Sequence, residues 1–262
     1  MRVLVTNDDG LHAPGLRALA SAAMAAGHDV VAVAPEGDRS GSAASIGNLG
    51  EGSLLPYRSV SFDGLDEVEA YELDAPPALC VIATCLEAFG ARPDFVLSGV
   101  NPGYNTGRAT LHSGTVGAAL SAAHFGLSAV AVSIAGHERT VAHWDVAAGL
   151  AVEAAGWIAA GDEMVTLNLS VPDRPRHEVL EPVHAGLAPL GVIRTEVLDR
   201  TAERLELGFR PTDSELPEGS DSAMASAGHV VIKPLTGIRA ASLVGVDDLL
   251  VALKRSLAEP GC

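Results

Sequence analysis

A chain of 262 residues with 48% hydrophobic content can bury one large α/β core, or one core with a small appendage, and disorder as its main state is excluded. Its 17 Lys and Arg stand against 33 Asp and Glu, and a formal charge of -16 repels polyanions, so nucleic acid polymers are excluded as general partners. Of the three cysteines, Cys80 and Cys85 share an apolar helical stretch and Cys262 is terminal, a pattern that forms neither a disulfide framework nor a zinc spacing and points to the cytoplasm.

Met1-Arg2 leads straight into a strand without the marks of a signal peptide, so export by that route is not expected. The long uncharged stretch from Ala118 to Gly136 is divided by His124, Gly126 and Ser128 into a helix end and a following strand, which argues for buried core and no membrane contact. Val3, Leu4 and Val5 form the apolar run of a central parallel strand, and Pro14 with Leu16, Leu19, Ala20 and Ala23 opens a helix with one apolar face. Asp8 and Asp9 fall between them. In an open α/β sheet that edge is where ligands bind, and two adjacent carboxylates there repel unless a cation or a proton offsets the charge. Helix capping accounts for one of the acids but not for both.

Asp29 to Ala34 reads as a second buried strand stopped by Pro35, which makes the first forty residues a βαβ unit. The small-residue turn that follows, Glu36 to Ser42, faces the same edge and offers Ser40 as a candidate ligand. Residues 50–75 alternate weakly and suggest a β excursion; Pro76 and Pro77 then open a helix that runs to Gly90. Asp94 to Ser98 is a third strand, and it enters Ser98-Gly99-Val100-Asn101-Pro102-Gly103-Tyr104-Asn105-Thr106-Gly107. Glycines there let the backbone approach a ligand closely, and Asn101 can complete an oxygen site with the aspartates. Ser113-Gly114-Thr115 opens the next helix, where free N–H groups, the dipole and two hydroxyls suit an anion, although a plain Ser cap fits the same residues.

Ala129 to Ser133 and Val165 to Leu169 read as two more strands separated by a helix around Ala147 to Ile158. Beyond Pro172, stretches such as Arg204 to Phe209 suggest exposed β-ribbons; Gly228 to Ile232 returns as a strand and Val246 to Leu257 as a last helix. The expected division is a catalytic domain over 1–171, rejoined by 228–262, with 172–227 as a β-rich extension.

Asp8, Asp9, Ser40 and Asn101 together are hard oxygen donors, which suit Mg²⁺ or Mn²⁺ better than Zn²⁺. A cation beside a helix N-terminus and a glycine-rich loop is what phosphoryl transfer requires, since that chemistry is catalysed by positioning and charge neutralisation. Phosphate-ester hydrolysis follows as the expected reaction, with Asp8 or Asp9 also able to steer the proton of the attacking water. A sugar transferase with a Rossmann-like domain and a non-catalytic metabolite-binding protein are the alternatives.

The ordered set Thr6-Asn7-Asp8-Asp9-Gly10, Ala34-Pro35 through Arg39-Ser40-Gly41, Ser98-Gly99-Val100-Asn101 through Asn105, and Ser113-Gly114-Thr115-Val116 resembles the SurE survival proteins, metal-dependent 5′/3′-nucleotidases. Ser220-Asp221 and Gly228 to Leu235 form a weaker fifth block. The resemblance implies that Asp8, Asp9, Ser40 and Asn101 hold one divalent metal per subunit and that Asn105, Ser113, Gly114 and Thr115 line a phosphate pocket. It also implies a Rossmann-like, mainly parallel sheet with helices on both faces, a smaller β-rich C-terminal oligomerisation lobe, and a homodimer or homotetramer acting on a small phosphate monoester. The chain departs from the family at Pro76 and Leu79, which replace a hydroxyl and a carboxylate, and at Arg108 and His112, so the expected departure lies in how the leaving group is read.

Overall fold

The computed structural model describes residues 1–62, 64–212 and 215–238; the helix expected from Val246 to Leu257 lies outside them. Strand β1 (Arg2–Thr6) is flanked by parallel neighbours, β2 (Asp29–Pro35) on one side and β5 (Phe95–Pro102) on the other. The sheet extends past β2 through β4 (Glu69–Leu73) and the antiparallel β3 (Tyr57–Val60), and past β5 through β6 (Ser128–Ile134) and β7 (Thr166–Val171). Sequence-adjacent connections leave β1 toward β2 but return on its other side at β5. The gap between the carboxyl ends of β1 and β5 is therefore the topological switch point, where open sheets bind ligands.

Both faces are covered, as the continuous apolar strands require. Val3 and Val5 point into one core with Leu16 and Leu19 of α1 (Pro14–Ala25) and Val146 and Ile158 of α4 (Trp144–Ala159). Leu4 points into the other with Leu79 of α2 (Pro77–Cys85) and Val116 of α3 (Gly114–His124). Leu4, Leu16 and Leu19 are fully buried, each contributing about 1.5–3 kcal/mol over an exposed position.

The crossovers do not all turn the same way. β1-α1-β2 and β6-α4-β7 step in opposite directions across the sheet yet lay their helices on the same face, so the two units have opposite hand. The crossovers through α2 and α3 step opposite to α1 on the opposite face and share its hand. One unit thus departs from the nearly uniform right-handed preference of such connections.

At the far edge β11 (His229–Leu235) runs antiparallel to β7, and β8 (Leu180–His184) pairs parallel with β11. Of the stretch 172–227, then, one strand covers the main sheet's open edge. β9 (Ile193–Arg200) and β10 (Leu205–Pro211) form a separate antiparallel ribbon that exposes Val197, Leu198, Leu205 and Leu207, and the short helix α5 (Asp221–Ala227) follows.

Helix α1 sits hard against the end of β5. A Cβ added at Gly15 would lie 2.0 Å from the Val100 carbonyl oxygen and 2.9 Å from the Trp144 ring, and the carbonyl belongs to a strand held on both sides. Gly15→Ala is expected to cost about 3 kcal/mol, at the upper end for overpacking, and to lower the urea midpoint without changing the slope. An unchanged midpoint would show that α1 can withdraw freely.

Candidate active site

The turn after β1 is closed by Asn7, whose side chain both donates to the Gly10 carbonyl (3.1 Å) and accepts from the Gly10 N–H (3.2 Å). The helix it leads to has Ala13 at its N-cap with no side-chain cap, so neither aspartate serves α1. Asp8 is 3% exposed; its Oδ1 accepts from the Thr115 hydroxyl at 2.5 Å, and its carbonyl accepts from Arg39 N–H at 2.7 Å. This approach depends on Gly114, where an added Cβ would fall 2.7 Å from Asp8 Oδ2 and 2.8 Å from Ser42 Oγ.

Both acids are held above the usual carboxylate range. Burial raises Asp8 and the Thr115 hydrogen bond opposes the rise. Burial lifts Asp9 to about 8, with the charges of Asp8, Asp38 and Glu138 adding to it. Asp9 Oδ2 is buried and has no hydrogen-bond partner. A buried carboxylate oxygen left without a proton donor beside a second carboxylate is the electrostatic arrangement that a cation relieves.

Asp8, Asp9, Ser40, Asn101, Asn105 and Ser113 line a single cleft of about 650 Å³. The exposed Ser40 hydroxyl donates to Asp38 Oδ1 at 2.6 Å. One extra residue in β5 relative to β6, between Ser98 and Asn101, bends the strand end; bulges beside sites re-aim side chains in this way. Asn101 Nδ2 then donates to the Gly103 carbonyl at 2.7 Å, which leaves its side-chain oxygen as the electron-pair donor. Among the described residues no group of three His, Cys, Asp or Glu is present, so a metal set here combines two carboxylates with hydroxyl and amide oxygens, as hard divalent cations accept.

Asn105 is pinned by its backbone: its N–H donates to Ser133 Oγ (3.3 Å) and its carbonyl accepts from Asn168 Nδ2 (2.8 Å). Its side-chain Nδ2 is buried and unpartnered, a free donor at the cleft. Ser113 caps α3 through Val116 N–H at 3.1 Å and also lines the cleft, so the two readings of that residue coexist. Gly114 and Thr115 are buried and do not line it: Gly114 provides room for Asp8, and Thr115 orients Asp8.

The far wall lay outside the sequence reading. Leu190, Val192 and Thr195, which lead into the β9–β10 ribbon, face the 3-10 turn Gly107–His112 across the cleft. No motif marks these residues, because only the return of the chain brings them there. Arg108 and His112 do line the cleft, and Arg108 has no carboxylate partner among the described residues. Leu79, in contrast, is 7% exposed beneath α2, and neither it nor Pro76 lines the cleft. The expected change in leaving-group contacts therefore falls on the 3-10 turn alone.

Asp9 binds its proton far more tightly folded, at about 8, than at its ordinary value of 3.8. Its contribution to stability is fully present below about 4 and is lost as pH rises through about 8. With chelator present, the wild-type Tm is expected to fall across this window more steeply than that of Asp9→Asn, and added Mn²⁺ should restore it most at the alkaline end. Equal slopes for the two proteins would refute the assignment.

The family model of the survival protein SurE matches residues 3–188. The chain is 35% identical over 241 residues to the 5′-nucleotidase SurE of Pelobacter propionicus, covering 90% of this chain and 93% of that protein. It is 39% identical over 184 residues to the 5′-nucleotidase SurE of Xanthomonas euvesicatoria pv. vesicatoria, covering 69% and 67% respectively. The crystal structure of the SurE protein from Aquifex aeolicus superposes with a TM-score of 0.76 at 24% identity, over 97% of this chain and all of that one, which bears on the fold. With the family model spanning most of the chain and the aspartate turn, the asparagine loop and the Ser-Gly-Thr helix start gathered at one cleft, the protein belongs to the SurE family.

Proposed function

We propose that this chain is a divalent-metal-dependent phosphomonoesterase that hydrolyses nucleoside monophosphates or related small phosphorylated metabolites. The observation that carries the reading is the buried Asp9 Oδ2 without a partner, next to Asp8 and in the same cleft as the free amide of Asn105. Two like charges and an orphaned donor make poor packing, but together they suit a cation and a phosphoryl oxygen. The names of the relatives support the nucleotidase part, and the oxygen-only donor set supports the metal.

Asp8, Asp9, Ser40 and Asn101 would hold the ion, which when bound supplies charge neutralisation and acidifies water at neutral pH. Thr115 fixes Asp8 by a hydrogen bond to one oxygen. Asp8 or Asp9 is placed to steer the proton of the attacking water. Asn105 Nδ2 and the Ser113 hydroxyl, both at the cleft, donate to the equatorial phosphate oxygens as charge develops on them. A sugar transferase would need a second Rossmann-like domain, whereas the main sheet of the described residues is one continuous sheet of nine strands.

Chelator is expected to abolish phosphatase activity, and Mn²⁺ or Mg²⁺ to restore it. Asp8→Asn and Asp9→Asn should each lower kcat by at least about a hundredfold while circular dichroism stays unchanged. Full activity in excess chelator, or near-normal turnover of either variant, would sink the proposal.

The leaving group meets a wall in which Leu111, Leu190 and Val192 are apolar and the hydrogen-bonding side chains Arg108 and His112 are exposed. Apolar walls discriminate weakly. The values of kcat/KM across the common nucleoside monophosphates should accordingly span less than about a hundredfold. A single nucleotide preferred beyond that would show that the cleft reads a base.

A further inference from the structure

The C-terminal block around Ser220-Asp221 and Lys233 does not enter the cleft, yet it carries an ion pair buried more deeply than any near the aspartates. Lys233 Nζ lies 2.5 Å from Asp221 Oδ2, with the two side chains 5% and 1% exposed. Charged side chains are almost never buried to this degree, and well-packed apolar residues usually serve stability as well or better. What an apolar pair cannot do is accept hydrogen bonds. Asp221 Oδ2 accepts from Gly107 N–H at 2.8 Å, and Oδ1 accepts from Ala188 N–H at 2.8 Å and from Ser222 N–H at 2.9 Å. Gly107 begins the 3-10 turn of one cleft wall, and Ala188 precedes the other. One carboxylate therefore fastens both walls.

Lys233 makes a second connection. It is the cross-strand partner of Asn168, whose Nδ2 donates to the Asn105 carbonyl at 2.8 Å. Asn168 is itself 3% exposed and its Oδ1 has no partner. The backbones of residues 105 and 107 are thus both held by buried side chains, Asn168 of β7 holding the first and Asp221 of α5 the second, with Lys233 of β11 opposite Asn168 in the sheet and paired with Asp221. The side chain of Asn105, left free of all these bonds, is the one that ends unpartnered at the cleft.

We propose that Asp221, Lys233 and Asn168 are positioning residues that lock the backbone of Asn105 to Gly107 and thereby aim the Asn105 amide at the substrate's phosphate. The nature of the anion rests on the phosphatase reading above; the locking does not. Lys233 pairs with Asp221, whose two oxygens accept from three N–H donors, and Asn168 ties Asn105 from the sheet side.

The test uses the full chain with inorganic phosphate as the probe and hydrogen exchange as an activity-free readout. Asn168→Ala removes a tie without disturbing a charge. It should raise the inhibition constant of inorganic phosphate about three- to tenfold, the worth of one hydrogen bond, and leave the Mn²⁺ activation constant unchanged. Asp221→Asn should speed exchange at Gly107 or Ala188. The double variant Asp221→Asn/Lys233→Met removes the buried charges together and should regain thermal stability over Asp221→Asn, but neither slow exchange at Gly107 nor the wild-type phosphate constant. Recovery of all three in the double variant would reduce the pair to charge compensation and overturn the proposal, as would an unchanged phosphate constant in Asn168→Ala. A wild-type protein indifferent to phosphate would instead defeat the phosphatase reading, and exchange at Gly107 in Asp221→Asn and the double variant would still decide the locking.

Discussion

Two adjacent carboxylates buried at the end of the central strand set the terms for everything around them. Loss of hydration raises both, and the charge of Asp8 adds to the rise of Asp9, which is held at about 8. The neighbourhood relieves this only in part. Thr115 donates to Asp8, but Asp9 Oδ2 is left without a donor. A fold optimised for stability alone would fill the second position or replace it with an apolar residue. Keeping it unfilled makes sense where a cation takes up the charge, and strain of this kind concentrates at functional sites.

The sheet topology explains why so much can meet there. Because the chain leaves β1 toward β2 and comes back at β5, the helix ends and loops on either side diverge and open a crevice over β1. Helix α3 brings its N-terminus to this crevice, and Gly114 lets it come close enough for Thr115 to reach Asp8. The crossover of opposite hand places α4 beside α1 on the far face, where Trp144 packs close to Gly15. Two helices then cover each face, and α1 is held against the β5 end that carries Asn101.

The Asn105 side of the cleft is organised by different means. Here the supports are hydrogen bonds to backbone, from Ser133 and Asn168 beneath Asn105 and from Asp221 beneath Gly107. Asp221 accepts from three N–H donors at once, so a small displacement leaves several of them unpaired. These ties hold the Asn105 loop in place even though it is irregular backbone, and the exposed side chains Arg108, Leu111 and His112 stand on the turn that follows.

Much of this was legible in the sequence, for reasons of local physics. Period-two and period-3.6 apolar patterns place β1, β2, β5 to β7 and their helices, and the carboxyl edge follows from their alternation. Asp8, Asp9, Ser40, Asn101 and Asn105 were legible as a set because each lies within a few residues of such a strand end, and Ser113 because it opens a helix. What only the tertiary structure decided is how groups distant along the chain meet. Thr115 reads as an anion ligand until packing turns its hydroxyl to Asp8, and Leu79 reads as a leaving-group contact until α2 carries it into the core. The far wall at Leu190 to Thr195 carries no local signature, and the buried pair of Asp221 and Lys233 shows in the sequence only as part of the weaker fifth block, with no role attached. Their roles arise from contacts between distant residues, 114 apart for Gly107 and Asp221, and no periodicity along the chain encodes those contacts.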